Sequence, residues 1–178
     1  QEELIQQLPS ISLEFWKGKF SGNMSSNTII KDTVKQGNEK RDECGHYLGA
    51  IFHYGGENYW GIDRINFLLE RLETLGVKKG ASLRVNPALN DLPSRQLSDM
   101  KLEIFFSANS PYTYLAFGRV KQLGETYGIP IIVRPIMPML MRKMDISQRK
   151  GFYILSDSAR VAEKLEIPFG KVKTPIGY

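Results

Sequence analysis

The sequence is poor in cysteine and has no long apolar run, and each absence excludes a class of protein. Cys44 is the only cysteine among 178 residues, which excludes a disulfide framework and a dithiol redox site carried by this chain alone. No apolar run approaches the roughly 18 residues that a membrane-spanning helix needs, so we predict no membrane partner. The first residues lack the basic-then-apolar pattern of a secretory leader, and we expect a cytoplasmic protein.

The basic residues do not form a tract. The first hundred residues carry a net charge of −1, and the residues from Lys101 onward carry +6. Dispersed basic side chains of this kind are typical of a solvated face, so we predict no nucleic-acid partner. His46 and His53 are seven residues apart and would point to opposite faces of one strand. We therefore predict no metal site from the two histidines.

The first part of the chain predicts a helix and then a hairpin. Thr28–Glu43 has helically spaced apolar residues and follows Asn27, a residue type that caps helix N-termini. Two short runs rich in β-forming residues, Ala50–Tyr54 and Glu57–Trp60, flank a Gly-Gly pair. This pattern is typical of a tight hairpin turn.

A second helix is predicted directly after the hairpin. Asp63 is expected to cap it, and its apolar residues keep the 3.6-residue period up to Gly76, which suits the position just past a helix end. The stretch 80–100 has two prolines, two asparagines and little periodicity, which predicts a linker. Near the start of the chain, Leu13–Trp16 has the pattern of a strand.

The second part of the chain predicts a strand–helix–strand unit. Leu102–Phe106 is the first strand, and the fully apolar run Ile131–Val133 is typical of a buried second strand. Between them, Ser110 and Pro111 suit the N-cap and the first helical position, and Gly128 suits the end of the helix. Such a unit favours a parallel pair with a right-handed crossover, and the predicted fold class is α/β.

A further helical region is predicted from Met137 onward, ending in a helix over Asp157–Leu165. Four methionines crowd its start: Met137, Met139, Met141 and Met144. Thioether sulfur suits Cu(I), but methionine more often supplies adaptable packing or lines an apolar substrate pocket. We therefore predict no metal here either.

Several segments resemble one known family. Residues 105–116, FFSANSPYTYLA, resemble the first strand and helix of the DsbA-like thioredoxin superfamily, in the branch that contains 2-hydroxychromene-2-carboxylate isomerase and kappa-class glutathione transferase. Further matches are Val133–Pro135 on the second strand, and Arg149–Tyr153 with Ile167–Phe169 in the helical insertion. Residues 56–64, GENYWGIDR, resemble the last strand and final-helix start of the same family.

The resemblance implies a thioredoxin-like fold with a helical insertion, and a glutathione site. In that family the serine at the position of Ser110 replaces the nucleophilic cysteine and donates a hydrogen bond to the sulfur of glutathione. The acid at the position of Asp63 holds the α-amino group of the γ-glutamyl end. By the same resemblance, four further residues are candidates for glutathione binding: Arg64, Asn109, Tyr112 and Pro135. Because serine and aspartate are also good helix N-caps, a purely capping role for Ser110 and Asp63 stays open.

The matching segments occur in the reverse of the family's order. We predict two partial domains in tandem: residues 1–79 are the C-terminal part of a first thioredoxin-like domain, and residues 101–178 begin a second domain with its helical insertion. The alternative is a circular permutant that closes one domain from both halves. Asp63 and Ser110 would share a site only in that permutant, or where a partner chain completes each half. Neither half is complete, so we expect the chain to be part of a longer protein.

The predicted activity is that of a glutathione-using isomerase, transferase or oxidoreductase acting on a small aromatic or electrophilic co-substrate, with a homodimer as the expected assembly. Two positions depart from the family pattern. Ser107 stands where the family often has aspartate, and Ala50 stands at the place of a cis-proline. A non-proline cis bond costs about 2.5–4 kcal/mol, so we predict a trans peptide there. The alternative function is a catalytically silent structural or interaction module.

Overall fold

The computed structural model describes residues 2–19, 21, 25–77 and 100–170, and the chain forms two compact units, Gln1–Lys40 and Arg41–Tyr178. The first unit contains α1 (Glu2–Trp16) and most of α2 (Asn27–Glu43). The strand predicted at Leu13–Trp16 is wrong, because these residues form the last turn of α1. The neighbouring residues Leu8 and Ile11 continue to Phe15 with spacings of three and four, which is the period of a helix.

The helix predicted over Thr28–Glu43 is confirmed, but its cap is not. The helix starts one residue earlier, and the hydroxyl of Ser26 accepts a hydrogen bond from the backbone N–H of Ile29 at 3.4 Å. Ser26 therefore supplies the cap that the sequence assigned to Asn27. Both residue types suit an N-cap, and the direction in which the chain enters the helix decides between them.

The second unit begins with the predicted hairpin, which is confirmed. Strands β1 (Ile51–Tyr54) and β2 (Glu57–Trp60) pair antiparallel. The turn glycines, Gly55 and Gly56, have φ values of 59° and 80°, the left-handed conformations that a two-residue hairpin turn requires. The peptide bonds of the described residues are trans, including that of Ala50 as predicted.

A short 3-10 turn, Ile62–Arg64, connects the hairpin to α3 (Ile65–Thr74). The prediction that Asp63 caps this helix is wrong, because Asp63 lies inside the 3-10 turn, and the cap position is taken by Arg64 without a side-chain capping bond. Gly76 ends the helix as predicted, with φ 70°. The N–H groups of Gly76 and Val77 bond to carbonyls of the last helical turn at 2.9 and 3.0 Å, which is the Schellman arrangement.

The predicted strand–helix–strand unit is confirmed. Strands β3 (Leu102–Phe106) and β4 (Ile131–Pro135) pair in parallel, and α4 (Pro111–Tyr127) connects them. Gly128 ends α4 with φ 64°. Gly124 lets α4 approach the sheet, because a Cβ atom there would lie 2.6 Å from the side chain of Ile131. An alanine at this position would therefore force the side chain of Ile131 to shift.

The last described helix, α5 (Gln148–Lys164), follows a 3-10 turn at Leu140–Arg142. It begins about two and a half turns before the helix predicted over Asp157–Leu165. Its buried residues cover about half of the helix circumference: Tyr153, Asp157, Ser158 and Ala162. α5 packs against α4.

The described strands form two separate two-stranded sheets, β1–β2 and β3–β4. The architecture is thus a mixture of helices and small sheets, which is compatible with the predicted α/β class. A thioredoxin-like sheet, by contrast, would join four strands. Residues 41–77 and 100–170 belong to the same compact unit. Apart from Met100, the predicted linker 80–100 lies outside the described residues, and the assignment of the two segments to one or two thioredoxin-like domains stays a prediction. No helix in the described ranges is long and apolar enough to span a bilayer.

Candidate functional site

A buried carboxylate, Asp157, lies where three segments of the second unit meet. Its residue surface is 1% exposed. Arg64 donates to both of its oxygens, from Nε at 2.9 Å and 3.1 Å and from Nη2 at 2.9 Å, which is the strong two-pronged geometry of arginine with a carboxylate. Tyr112 donates its hydroxyl to Oδ2 at 2.8 Å, and Arg160 adds a longer contact at 3.4 Å.

Local structure explains why these side chains converge. Asp157 projects from the buried face of α5, one turn after Tyr153. Arg64 closes the 3-10 turn between β2 and α3, and Tyr112 lies in the first turn of α4. The hydrogen bonds connect residues 93 and 45 positions apart in the chain. We call Asp63, Arg64, Tyr112, Asp157 and Arg160 the Asp157 cluster.

The cluster keeps its donors protonated. Burial alone would lower the pKa of the Arg64 guanidinium, but the hydrogen bonds and negative charge of Asp157 outweigh burial and raise it. Burial, followed by the charge of Asp157, raises the pKa of the Tyr112 hydroxyl well above its usual value. At neutral pH the Tyr112 hydroxyl therefore keeps its proton and donates it to Asp157, which also binds Arg64, so the arrangement holds the three segments together.

A second contact lies one helical turn away. The hydroxyl of Tyr153 accepts a hydrogen bond from the backbone N–H of Trp60 at 3.1 Å. The ring of Tyr153 meets His46, which is fully buried, edge to face at 4.6 Å between centroids. Burial and the charge of Asp157 raise the pKa of Tyr153 to about 12. α5 thus binds the hairpin through Tyr153 and the following turn through Asp157.

Asp63 lies at the solvent side of the cluster. Its Oδ2 accepts a hydrogen bond from Nη1 of Arg64 at 2.6 Å, and its side chain is 54% exposed. Arg64 therefore bridges two carboxylates, one buried and one open to solvent. A carboxylate held in this way is oriented before a ligand arrives and can accept hydrogen bonds from an ammonium group.

Ser110 caps α4, as predicted. Its hydroxyl oxygen accepts a hydrogen bond from the backbone N–H of Thr113 at 3.3 Å, and the residue is half-buried. The next residue but one, Tyr112, reaches Asp157. Tyr112 therefore connects the N-terminus of α4 to the Asp157 cluster.

The structure thus brings together three of the six predicted site residues. Asp63, Arg64 and Tyr112 are linked by hydrogen bonds through Asp157, and Ser110 lies beside them in the chain. Asn109 is exposed just before the cap. Pro135 is exposed in β4, where it pairs with Phe106; within the described residues the resemblance gains no support at Pro135.

Sequence reasoning missed Asp157, Tyr153 and Arg160. A signal was present, because Tyr153 and Asp157 are four residues apart and therefore lie on the same side of α5. A charged residue on the buried side of a helix needs a buried partner. Asp157 therefore predicts that a cationic side chain lies beside it. The sequence does not say which of the chain's arginines is that cation.

The described residues contain no group of three or more histidine, cysteine, aspartate or glutamate side chains that could hold a metal ion. No protein-family model, curated protein or solved structure matches the chain.

Proposed function

We propose that this chain binds glutathione and uses its thiol in isomerase, transferase or oxidoreductase chemistry of the DsbA-like thioredoxin type. One observation carries the proposal: an unbroken series of hydrogen bonds runs from Asp63 through Arg64 and Asp157 to Tyr112. Its two ends are the turn that would hold the γ-glutamyl group and the helix N-terminus that would hold the thiol. Both belong to one compact unit, which favours a single shared site.

Ser110 is suited to stabilise a thiolate. Its oxygen accepts the Thr113 N–H through a lone pair, and a hydroxyl in this role still has its proton to donate. A hydrogen bond to a charged acceptor contributes about 1.5–3 kcal/mol, and the helix dipole adds about 0.3–1 kcal/mol. Since about 1.36 kcal/mol corresponds to one pKa unit, the two effects together would lower a thiol pKa by about one to three units.

Asp63 is suited to bind the α-amino group of the γ-glutamyl end. Arg64 holds the carboxylate at 2.6 Å, and the side chain stays 54% exposed. Because Arg64 also pairs with Asp157, its charge is already compensated when the ligand's ammonium group approaches. By the resemblance, a small aromatic or electrophilic co-substrate would contact the methionine-rich segment before α5, in which Met137, Met141 and Met144 are exposed.

The alternative from another class is a catalytically silent interaction module. Large apolar side chains on the surface favour it, and Phe105 and Phe152 are each 65% exposed. Disulfide exchange, by contrast, needs a cysteine pair, and the chain has Cys44 alone. The two surviving candidates differ in whether the protein binds glutathione.

Titration calorimetry with reduced glutathione at millimolar concentration tests the proposal. We expect binding by the unaltered protein, with weaker affinity in Ser110→Ala and in Asp63→Asn. Ser147→Ala is the matched control, because Ser147 caps α5 through the Lys150 N–H at the same 3.3 Å and lies outside the proposed site. No heat with the unaltered protein would reject glutathione as the ligand, and equal affinity in Ser110→Ala and Ser147→Ala would reject the role of Ser110.

A further inference from the structure

We infer that Asp157 is a positioning residue: through Arg64 and Tyr112 it holds Asp63 and the N-terminus of α4 at a fixed separation, so that one tripeptide reaches both. This inference rests on the proposed function. It assigns a role to α5, an element that carries none of the six candidate site residues. Asp157 itself is 1% exposed, so it acts through its neighbours and not on the ligand.

The hydrogen bonds at Asp157 divide between the two anchors. Arg64 occupies both oxygens and holds Asp63 with its remaining nitrogen. Tyr112 reaches Oδ2 from the first turn of α4, two residues after Ser110. A shift of the carboxylate would therefore change the geometry at both ends of the site together.

The backbone that carries Asp157 is itself fixed. Ser158 and Ala162 are buried on the same helix, which packs against α4. One turn before Asp157, Tyr153 accepts the N–H of Trp60 and so holds the hairpin that leads into Arg64. α5 thus connects the two anchoring segments at two points on one face.

Fixed separation matters because a ligand with two attached ends gains affinity only when both sites are reachable at once. A misplacement of about 1 Å can cost about a hundredfold in a reaction that depends on alignment. Binding of each end alone does not depend on the separation. Positioning therefore predicts that glutathione loses more affinity than either of its two ends does when bound separately.

The experiment compares three probes by calorimetry: glutathione, γ-glutamylalanine for the Asp63 end, and cysteinylglycine for the thiol end. In Asp157→Asn we expect the glutathione affinity to fall about tenfold or more, while cysteinylglycine stays within about twofold of its affinity for the unaltered protein. The affinity for γ-glutamylalanine should fall less than that for glutathione, because Arg64 keeps Asp63 but loses Asp157 as a counter-charge. Asp42→Asn is the matched control, since it makes the same change at a carboxylate that also binds an arginine of α5, Arg149, at 2.7 Å. This control should leave all three affinities unchanged.

Each outcome separates the two proposals. If the unaltered protein binds no glutathione, the proposed function is wrong. If it binds glutathione and Asp157→Asn binds it equally well, only the positioning role is wrong. An equal loss for all three probes also overturns positioning, because a reduced folded fraction weakens every ligand alike. Should Asp157→Asn fail to fold, Tyr153→Phe removes the acceptor of the Trp60 N–H, which holds the hairpin leading into Arg64, and the same pattern of affinities is expected.

Discussion

Removing the charge of Asp157 should destabilise the second unit far more than any other single carboxylate-to-amide change among its described ion pairs. The Arg64 side chain is 16% exposed and that of Asp157 is 1% exposed, so Asp157→Asn leaves the guanidinium with only the solvent-exposed carboxylate of Asp63 as counter-charge. Breaking a buried pair in this way costs about 3–5 kcal/mol. Small proteins are stable by only about 5–15 kcal/mol, so the change removes a large share of the total.

The magnitude can be read from urea unfolding followed by circular dichroism. With a urea dependence of about 1–3 kcal/mol per molar, a loss of about 3 kcal/mol lowers the unfolding midpoint by about 1 M or more. Glu103→Gln is the control, because Arg134 also binds Glu103 through two nitrogens, at 3.1 and 3.3 Å, but with 52% and 31% of the two side chains exposed. Exposed pairs contribute under about 1 kcal/mol.

The reasoning would be refuted if Asp157→Asn and Glu103→Gln lowered the midpoint equally. A second variant guards against a protein that does not fold. Tyr112→Phe removes one hydrogen bond to a charged group, which costs about 1.5–3 kcal/mol, and leaves the ion pair in place. It should lie between the two carboxylate variants in stability.

Three further predictions concern packing, a buried hydrogen bond and alkaline pH. Gly124→Ala should destabilise the protein by about 1–3 kcal/mol in thermal unfolding, because the new Cβ atom would lie 2.6 Å from the side chain of Ile131. Gly118→Ala is the control and should be neutral or stabilising, since nothing lies within 4 Å of its Cβ position. Equal effects of the two changes would contradict the close approach at Gly124. Tyr153→Phe leaves the Trp60 N–H without its acceptor. The Trp60 amide should therefore exchange with deuterium faster, while the other β1–β2 amides stay protected. An unchanged exchange rate at Trp60 would count against the hydrogen bond to Tyr153. Burial raises the pKa of Tyr153 to about 12. Its contribution to stability is therefore fully present below the pKa of an unfolded tyrosine, about 10, and is lost as the pH rises through about 12. Urea midpoints across this range should fall less steeply in Tyr153→Phe than in the unaltered protein, and parallel curves would exclude the tyrosine as the source.

Local elements were predicted well because their causes lie within a few residues. The hairpin depends on two adjacent glycines that adopt positive φ, and α4 begins at a Ser-Pro pair and ends at Gly128. The strand predicted at Leu13–Trp16 failed because a run of four residues is too short to distinguish the strand period from the helical one. Asp63 failed as a cap because the chain passes through a 3-10 turn before α3 begins.

The candidate site was only partly predictable. Arg64 and Tyr112 were identified as ligand residues by resemblance, yet their side chains turn toward Asp157. Nothing in the local sequence pairs a residue at 64 with one at 157, because the distance along the chain exceeds any helical or hairpin period. Pro135, chosen on the same grounds, lies exposed in β4.

The sequence by itself determined the hairpin, the parallel strand–helix–strand unit and the capping of α4 by Ser110. It also excluded a dithiol site within this chain, because Cys44 is the only cysteine. The tertiary structure alone decided that the Asp63–Arg64 turn and the start of α4 are connected. The reason is physical: a buried carboxylate must be compensated by whichever donors the packing brings within hydrogen-bond distance, and only the fold brings Arg64 and Tyr112 to Asp157.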